Sequence, residues 1–200
     1  MKKILFILLI ICTLIPTETR ATRLWSDGFE LGTTSSNFGC AALGVAMTLE
    51  TTTKHGGDYS AKVTGLSSGT PQGCAQTFTS ASGTNGPIYL RVYFNLSTAP
   101  SSENYFLTFQ NGNTLLAGIT VNSSGALTLR DEDGSIGSSS ALSTNTWYRV
   151  ELMVDRTAAA GSHIVTGYLN GTQFANAANR SLSVMLDNFR VGGNIASEAQ

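Results

Sequence analysis

Charge is what this chain has least of. Of its 200 residues, 12 are Lys or Arg and 13 are Asp or Glu, which leaves a formal net charge of -1. No basic run occurs anywhere, so the electrostatic footprint of a nucleic-acid binder is missing and no nucleic-acid partner is expected. Proline is scarce, at four residues, and none builds a linker. Histidine occurs only twice, too seldom for a zinc site if the cysteines are paired. No helix-length amphipathic pattern is present, and no internal repeat. Glycine, serine, threonine and asparagine are abundant instead, the composition of an extracellular β-protein.

The one long apolar run opens the chain. "MKKILFILLIICTLIPTETRA" carries two lysines, apolar residues from Ile4 to about Pro16 and a small residue at Ala21. That is the layout of a secretory signal peptide, and the run is shorter than the ~20 residues a spanning helix needs. Residues 1–21 are therefore expected to be removed, leaving a secreted or periplasmic chain with no membrane span in its mature form. The ~180 residues that remain suit one domain, 22–200. Cys12 leaves with the leader, and Cys40 and Cys74 remain, an even count for which a disulfide is the expectation in an exported protein. On the chain-entropy view such a loop would constrain the unfolded state by roughly 3 to 4 kcal/mol.

Short apolar runs alternate with polar residues and are divided by Gly, Ser, Asn and Pro, the pattern of strands. In "PIYLRVYFNL", Ile88, Leu90, Val92 and Phe94 point one way and Tyr89, Arg91, Tyr93 and Asn95 the other. In "TWYRVELMVDR", Tyr148, Val150, Leu152 and Val154 form the apolar set, with Trp147, Arg149, Glu151 and Met153 opposite. "VAMTLE", "YSAKVTG", "CAQTFT", "NYFLTFQ", "LLAGITV", "ALTLR", "HIVTGYLNG", "TQFANA" and "VMLDNFRVG" read the same way, as does "WSDGFELG" near the start. Hairpin turns are expected at Asn111–Asn113, Asn122–Gly125, Asp131–Gly134 and Asn170-Gly171, where the residues tolerate positive φ. Many antiparallel strands without helices predict an all-β, two-sheet antiparallel β-sandwich.

"DGFELG", "HGGDYSAKVTG", "IYLRVYFNL", "GALTLRDEDG", "NTWYRVELMVD", "GYLNG" and "LDNFRVGG", in that order, resemble the concanavalin A-like lectin and glucanase superfamily, and within it the laminin-G-like jelly-roll domains. The resemblance covers nearly the whole chain after the leader. It departs from related modules at Asn37-Phe38, where a tryptophan is usual. It implies a concanavalin A-like jelly roll with one sheet curved into a groove, and a structural calcium ion where the first and last strands meet. The matching residues are Glu30 of "FELG" and Asp187 of "MLDNFRV", with Asp58 and the backbone around Gly56 completing the oxygen set that calcium requires.

Sugar recognition needs planar aromatics beside groups that read hydroxyls. Tyr89, Arg91, Tyr93 and Asn95 carry that chemistry on one strand and Arg149 with Glu151 on another; if the two strands share a sheet, they form a groove floor. The plainer reading is a set of cross-strand pairs on a wet face. Catalysis has less behind it. Glucanases of this superfamily place two acids at alternate positions on a strand, and only Asp131 and Asp133 offer that spacing, in what reads as a solvated turn. Glu151 and Asp155 lie about 13 Å apart along a strand, too far for a retaining pair. Lyases of the fold use a histidine and a tyrosine with a charge-neutralising side chain, whereas His55 and His163 read as solitary. Sequons at Asn95, Asn122, Asn170 and Asn179 read as chance in so Asn- and Ser-rich a chain. The expected function is non-catalytic, lectin-like binding of a polysaccharide or glycan. The alternatives are an adhesive module that binds an extracellular protein and, behind it, a polysaccharide hydrolase or lyase.

Overall fold

The computed structural model describes residues 29–30, 41–44, 47–64, 72–82, 86–182 and 186–193; side chains of 41–44 and 79–82 are outside that description. The leader 1–21, Cys40, Asn37-Phe38 and the tail beyond Gly193 thus lie outside the described residues.

Every regular element within them is a strand: β1 (Ala41–Gly44), β2 (Thr48–Glu50), β3 (Ser60–Lys62), β4 (Gln72–Ser82), β5 (Ile88–Asn95), β6 (Asn104–Asn111), β7 (Thr114–Val121), β8 (Ala126–Asp131), β9 (Gly134–Ala141), β10 (Trp147–Asp155), β11 (His163–Leu169), β12 (Thr172–Arg180) and β13 (Leu186–Gly193). All pairings are antiparallel. A seven-stranded sheet runs β1-β4-β13-β6-β7-β8-β9, a four-stranded sheet runs β12-β11-β10-β5, and β2 and β3 form a separate hairpin. The all-β sandwich is as expected.

Its core is what the alternation sends inward. Leu90, Val150, Leu152 and Val165 from the four-stranded sheet meet Leu107, Phe109, Ile119 and Leu129 from the seven-stranded one. Burying a side chain of this size fully is worth roughly 1.5–3 kcal/mol. Phe94 of β5 stacks on Phe106 of β6, centroids 4.4 Å apart, so the two sheets are keyed together beside the strand that also carries Tyr93.

All four expected turns form. Asn170 and Gly171 both take positive φ, 52° and 85°, the requirement of a tight two-residue hairpin whose twist matches its strands. At β7–β8 the Asn122 side-chain oxygen accepts from the Ser124 and Ala126 N–H groups at 3.0 Å each. The Asp131–Gly134 turn is a hairpin loop but not simply a solvated one. The Asp131 side chain is fully buried, paired with Arg180 of β12 through Nε and Nη2, and Asp133 joins the same guanidinium at 2.8 Å. The last turn of one sheet is clamped to the edge strand of the other.

Two further expectations change. Glu30 lies in a turn, after Phe29 at φ 62°, rather than in a strand; Phe29 still packs against the cluster of Met47 and Cys74. β1 and β9 carry no apolar alternation and were not expected. β9, "GSIGSSSA", is held by its ladder to β8 and by contact with β12, where a Cβ on Gly137 would lie 3.2 Å from that of Ala175. Small side chains let the sheets close there.

Candidate functional site

β5 and β10 are neighbours in the four-stranded sheet, and their register sets the outward residues opposite one another: Asn95 with Trp147, Tyr93 with Arg149, Arg91 with Glu151 and Tyr89 with Met153. The six residues expected to bind ligand therefore share one face. Tyr89 and Tyr93 are the exposed large hydrophobics among the described residues, at 54% and 51%. They stand about 13 Å apart along β5 with Arg91 between them.

Glu151 is the fixed point of this face. Its side chain is only 8% exposed, and a buried carboxylate must be paired. Arg91 donates to Oε2 from Nε at 2.9 Å and from Nη2 at 2.7 Å. Arg149 Nε lies 3.0 Å from Oε1, but its N–H points off that line and makes no hydrogen bond, so this second contact is Coulombic. Arg149 is positioned by the β11–β12 turn. Its backbone N–H donates to Asn170 Oδ1 at 2.9 Å, and a Cβ on Gly171 would come within 2.4 Å of its Nη2. Two guanidinium groups thus share one carboxylate, and Arg91 keeps a side chain 57% exposed beside the tyrosines.

The β2–β3 hairpin supplies a part that sequence reasoning dismissed. His55, at its tip, stacks on Tyr93 with centroids 3.8 Å apart and planes at 20°, and meets Trp147 edge-on at 5.5 Å. Each such aromatic contact is worth roughly 0.5–1.5 kcal/mol beyond burial. His55 is not solitary, and Trp147 belongs to the face although it was read only as part of a mixed strand set. The residues themselves carried no sign of this contact, because it depends on where a turn between two three-residue strands lands. His55, Arg91, Tyr93, Asn95 and Trp147 line one cleft. The other histidine, His163, is buried at 4% exposure. Its Nδ1 accepts from the Leu182 N–H at 3.2 Å, so it serves the fold.

Glu30 and Asp187, two of the expected calcium ligands, each accept hydrogen bonds from N–H groups. Glu30 lies at the hairpin loop, as expected of a neighbour of Gly56 and Asp58, but its Oε2 accepts from the Asp58 N–H at 2.7 Å. Asp187 accepts from the Gly112 N–H at 3.0 and 3.1 Å and from the Asn188 amide at 2.7 Å. Among the described residues no group of three or more His, Cys, Asp or Glu is placed to hold a metal. Cys74 is buried at 2% exposure, and its expected partner Cys40 is outside the described residues.

Comparison with known proteins addresses the architecture. An endo-β-1,4-glucuronan lyase from the fungus Trichoderma reesei superposes with a TM-score of 0.53 at 13% identity, over 73% of this chain and 74% of the lyase. The fold is a jelly-roll β-sandwich. The carbohydrate-binding module CBM66 of Bacillus subtilis (TM-score 0.44, 10% identity, 77% of this chain and 88% of the module) and sheep galectin-11 (0.43, 11%, 62% and 92%) are further similar structures. No protein-family model matches the chain, and no curated protein matches it in sequence. At such identities likeness speaks for fold alone.

Proposed function

We propose that this protein is a lectin-like module that binds a polysaccharide or glycan on the outer face of its four-stranded sheet. The observation that carries this reading is the row Tyr89, Arg91, Tyr93 with Arg149 and Glu151 opposite. Exposed rings offer stacking surfaces for the apolar faces of sugar rings. The guanidinium groups, fixed in place by Glu151, offer donors for hydroxyl or carboxylate oxygens without a large ordering cost on binding. Carbohydrate-active neighbours of the same fold support the reading without specifying a ligand. The laminin-G-like subtype, export directed by residues 1–21 and a Cys40–Cys74 disulfide belong to the same proposal. The disulfide is supported by β1, which begins at Ala41 directly after Cys40 and pairs with the strand that carries Cys74.

A glycan array tests it. Tyr93→Ala should abolish binding of whichever glycan is captured while leaving the melting temperature within a few degrees, whereas Arg91→Ala should abolish it and also lower the melting temperature, because it leaves the buried Glu151 carboxylate without its hydrogen-bonded partner. Capture of a protein partner with no glycan bound would replace this reading with the adhesive one.

One observation favours a second reading. His55 against Tyr93, with Arg91 and Arg149 at hand, has the composition of a lyase site for a uronic acid polymer. There the arginines would neutralise the uronate carboxylate and one of the two rings would take the C5 proton. The C4–O bond would break, the leaving oxygen would be protonated and a C4=C5 double bond would form. New ultraviolet absorbance on incubation with uronate polysaccharides, lost in His55→Ala, is the result that would establish catalysis.

A further inference from the structure

The hydrophobic interior of this protein comes in two parts. The main core lies between the sheets around Leu107, Phe109 and Leu152, while a smaller cluster gathers on Met47 and Cys74. Val191 of β13 packs against both. Residues of both parts line one cavity of about 560 Å³. The cleft that carries His55, Tyr93 and Trp147 is its outer part. Along β5 the consecutive residues Arg91 to Leu96 line it. Neighbouring residues on a strand point to opposite faces, so a space that touches all of them runs past the edge of the strand rather than over one face. β5 is the end strand of the four-stranded sheet, and Ser60 to Val63, in and just after β3, line the other side. The stretch from Arg91 to Leu96 makes the slot about 17 Å long.

The inner lining is apolar and only partly covered. Phe29, Ala61, Val63, Val92, Phe94 and Val191 all line the cavity, and all are partly buried rather than sealed in a core. Its polar groups are already engaged or face water. Lys62 pairs with Glu50 at 3.2 Å and Arg91 with Glu151 at 2.7 Å. Glu30 accepts from the Asp58 N–H at 2.7 Å, and Ser60 Oγ donates to Thr53 O at 2.6 Å. Asn95 points outward opposite Trp147, and Ser97 and Thr98 are exposed. The charges of the lining, Glu30 and Glu50 against Lys62 and Arg91, balance.

We infer that this slot between the edge of β5 and the β2–β3 hairpin is a binding site for an uncharged alkyl chain, such as that of a fatty alcohol. Three properties of the cavity select that class. Its volume is that of a small-molecule pocket, and apolar cavities far smaller than this take up apolar molecules in preference to water. Its length along β5 suits a chain better than a compact ring. Its balanced and internally paired charges make no demand for an ionic group, and an ion placed on the apolar floor would lose its hydration without gaining a partner. The inference does not rest on the glycan reading, because it concerns the inside of the sheet edge and needs no sugar on the outward row.

The test uses N-phenyl-1-naphthylamine, an uncharged dye that brightens in apolar surroundings, and a series of straight-chain alcohols. The dye should bind saturably, at one site per chain, and be displaced by 1-decanol. From 1-hexanol through 1-octanol to 1-decanol the affinity should rise by about three- to fourfold per added methylene. Addition of 1-decanol should shift the methyl resonances of Val63, Val92 and Val191. Ala61→Phe fills the cavity and should weaken dye and decanol by about tenfold or more. Val92→Leu intrudes less, so it keeps the test open if the larger ring disturbs folding, and it should weaken both in the same direction. Tyr89→Ala, on the outward row and outside the lining, should leave both unchanged whatever it does to a glycan. No saturable dye binding, an affinity indifferent to chain length, or unmoved valine methyls would each overturn the site. Full affinity in a folded Ala61→Phe would overturn it too, and so would a dye signal that appears only on adding urea, since that reports a loosened core.

Discussion

Glu50 closes the hairpin that carries His55. It accepts from the Thr52 hydroxyl at 2.5 Å, the Thr52 N–H at 2.8 Å and Lys62 Nζ at 3.2 Å. These donors, the Thr52 hydroxyl foremost, hold its carboxyl down from 4.5 to about 2. A carboxyl whose folded value is depressed stabilises the fold above its unfolded pKa, and the effect is lost as the pH falls from about 4.5 towards 2. The His55–Tyr93 stack should accordingly loosen over that window, visible as a change in the Tyr93 ring shifts; a stack indifferent to pH there would mean Glu50 does not brace the loop. Glu30 and Asp187, each bound to backbone N–H groups, should give a melting temperature that chelator leaves unmoved; a fall of several degrees would instead support the structural calcium ion expected there. At this scale the sequence was informative about chemistry and poor about company. Tyr89, Arg91, Tyr93, Asn95, Arg149 and Glu151 were assigned to their faces by a period of two, which is local. That His55 touches Tyr93, or that Asp131 is buried against Arg180, depends on loops landing on distant strands.

Strands and turns were legible where the pattern is local. The alternation of β5 and β10 and the Asn-Gly turn before β12 follow from pleat geometry and from positive φ, which a single sequence displays. β9 was not, because a strand of serine and glycine has no hydrophobic face and exists only through its ladder and its fit against β12. Two element contacts carry predictions. Arg180→Ala strands the buried Asp131 carboxylate and should cost about 3 kcal/mol in chemical denaturation, more than Asp133→Ala, which removes only an exposed partner. Gly192, at φ 146°, faces Gly73 across β13 and β4, and a Cβ there would sit 2.1 Å from Gln72 O. Gly192→Ala should destabilise by on the order of 3 kcal/mol, because backbone cannot move aside as a side chain can.

For the whole molecule, two packed antiparallel sheets could be anticipated from composition and turn spacing, but the order of strands could not. That order decides what each sheet presents: β5 beside β10 builds the Tyr93 face, and β13 beside β6 brings Asn188 to Gln110. It also decides what the molecule cannot lose. A chain ending before Leu186 would leave β4 and β6 without the strand between them, exposing two unpaired edges. Such a truncation should show no cooperative melting transition and should aggregate on expression, as measured by light scattering. A soluble, cooperatively melting product would mean the rest of the sheet closes without β13.

The central position of β13 has a consequence in time. Among the described strands β13 is the last in chain order and joins the two parts of the larger sheet, so its pairings with β4 and β6 are distant in sequence and wait until it has been made. At roughly 5–20 residues per second, the ~80 residues from the end of β6 to the end of β13 take on the order of four to sixteen seconds to make, during which β4 and β6 have no native neighbour between them. Arrival of β13, more than formation of any one hairpin, is what lets the larger sheet close.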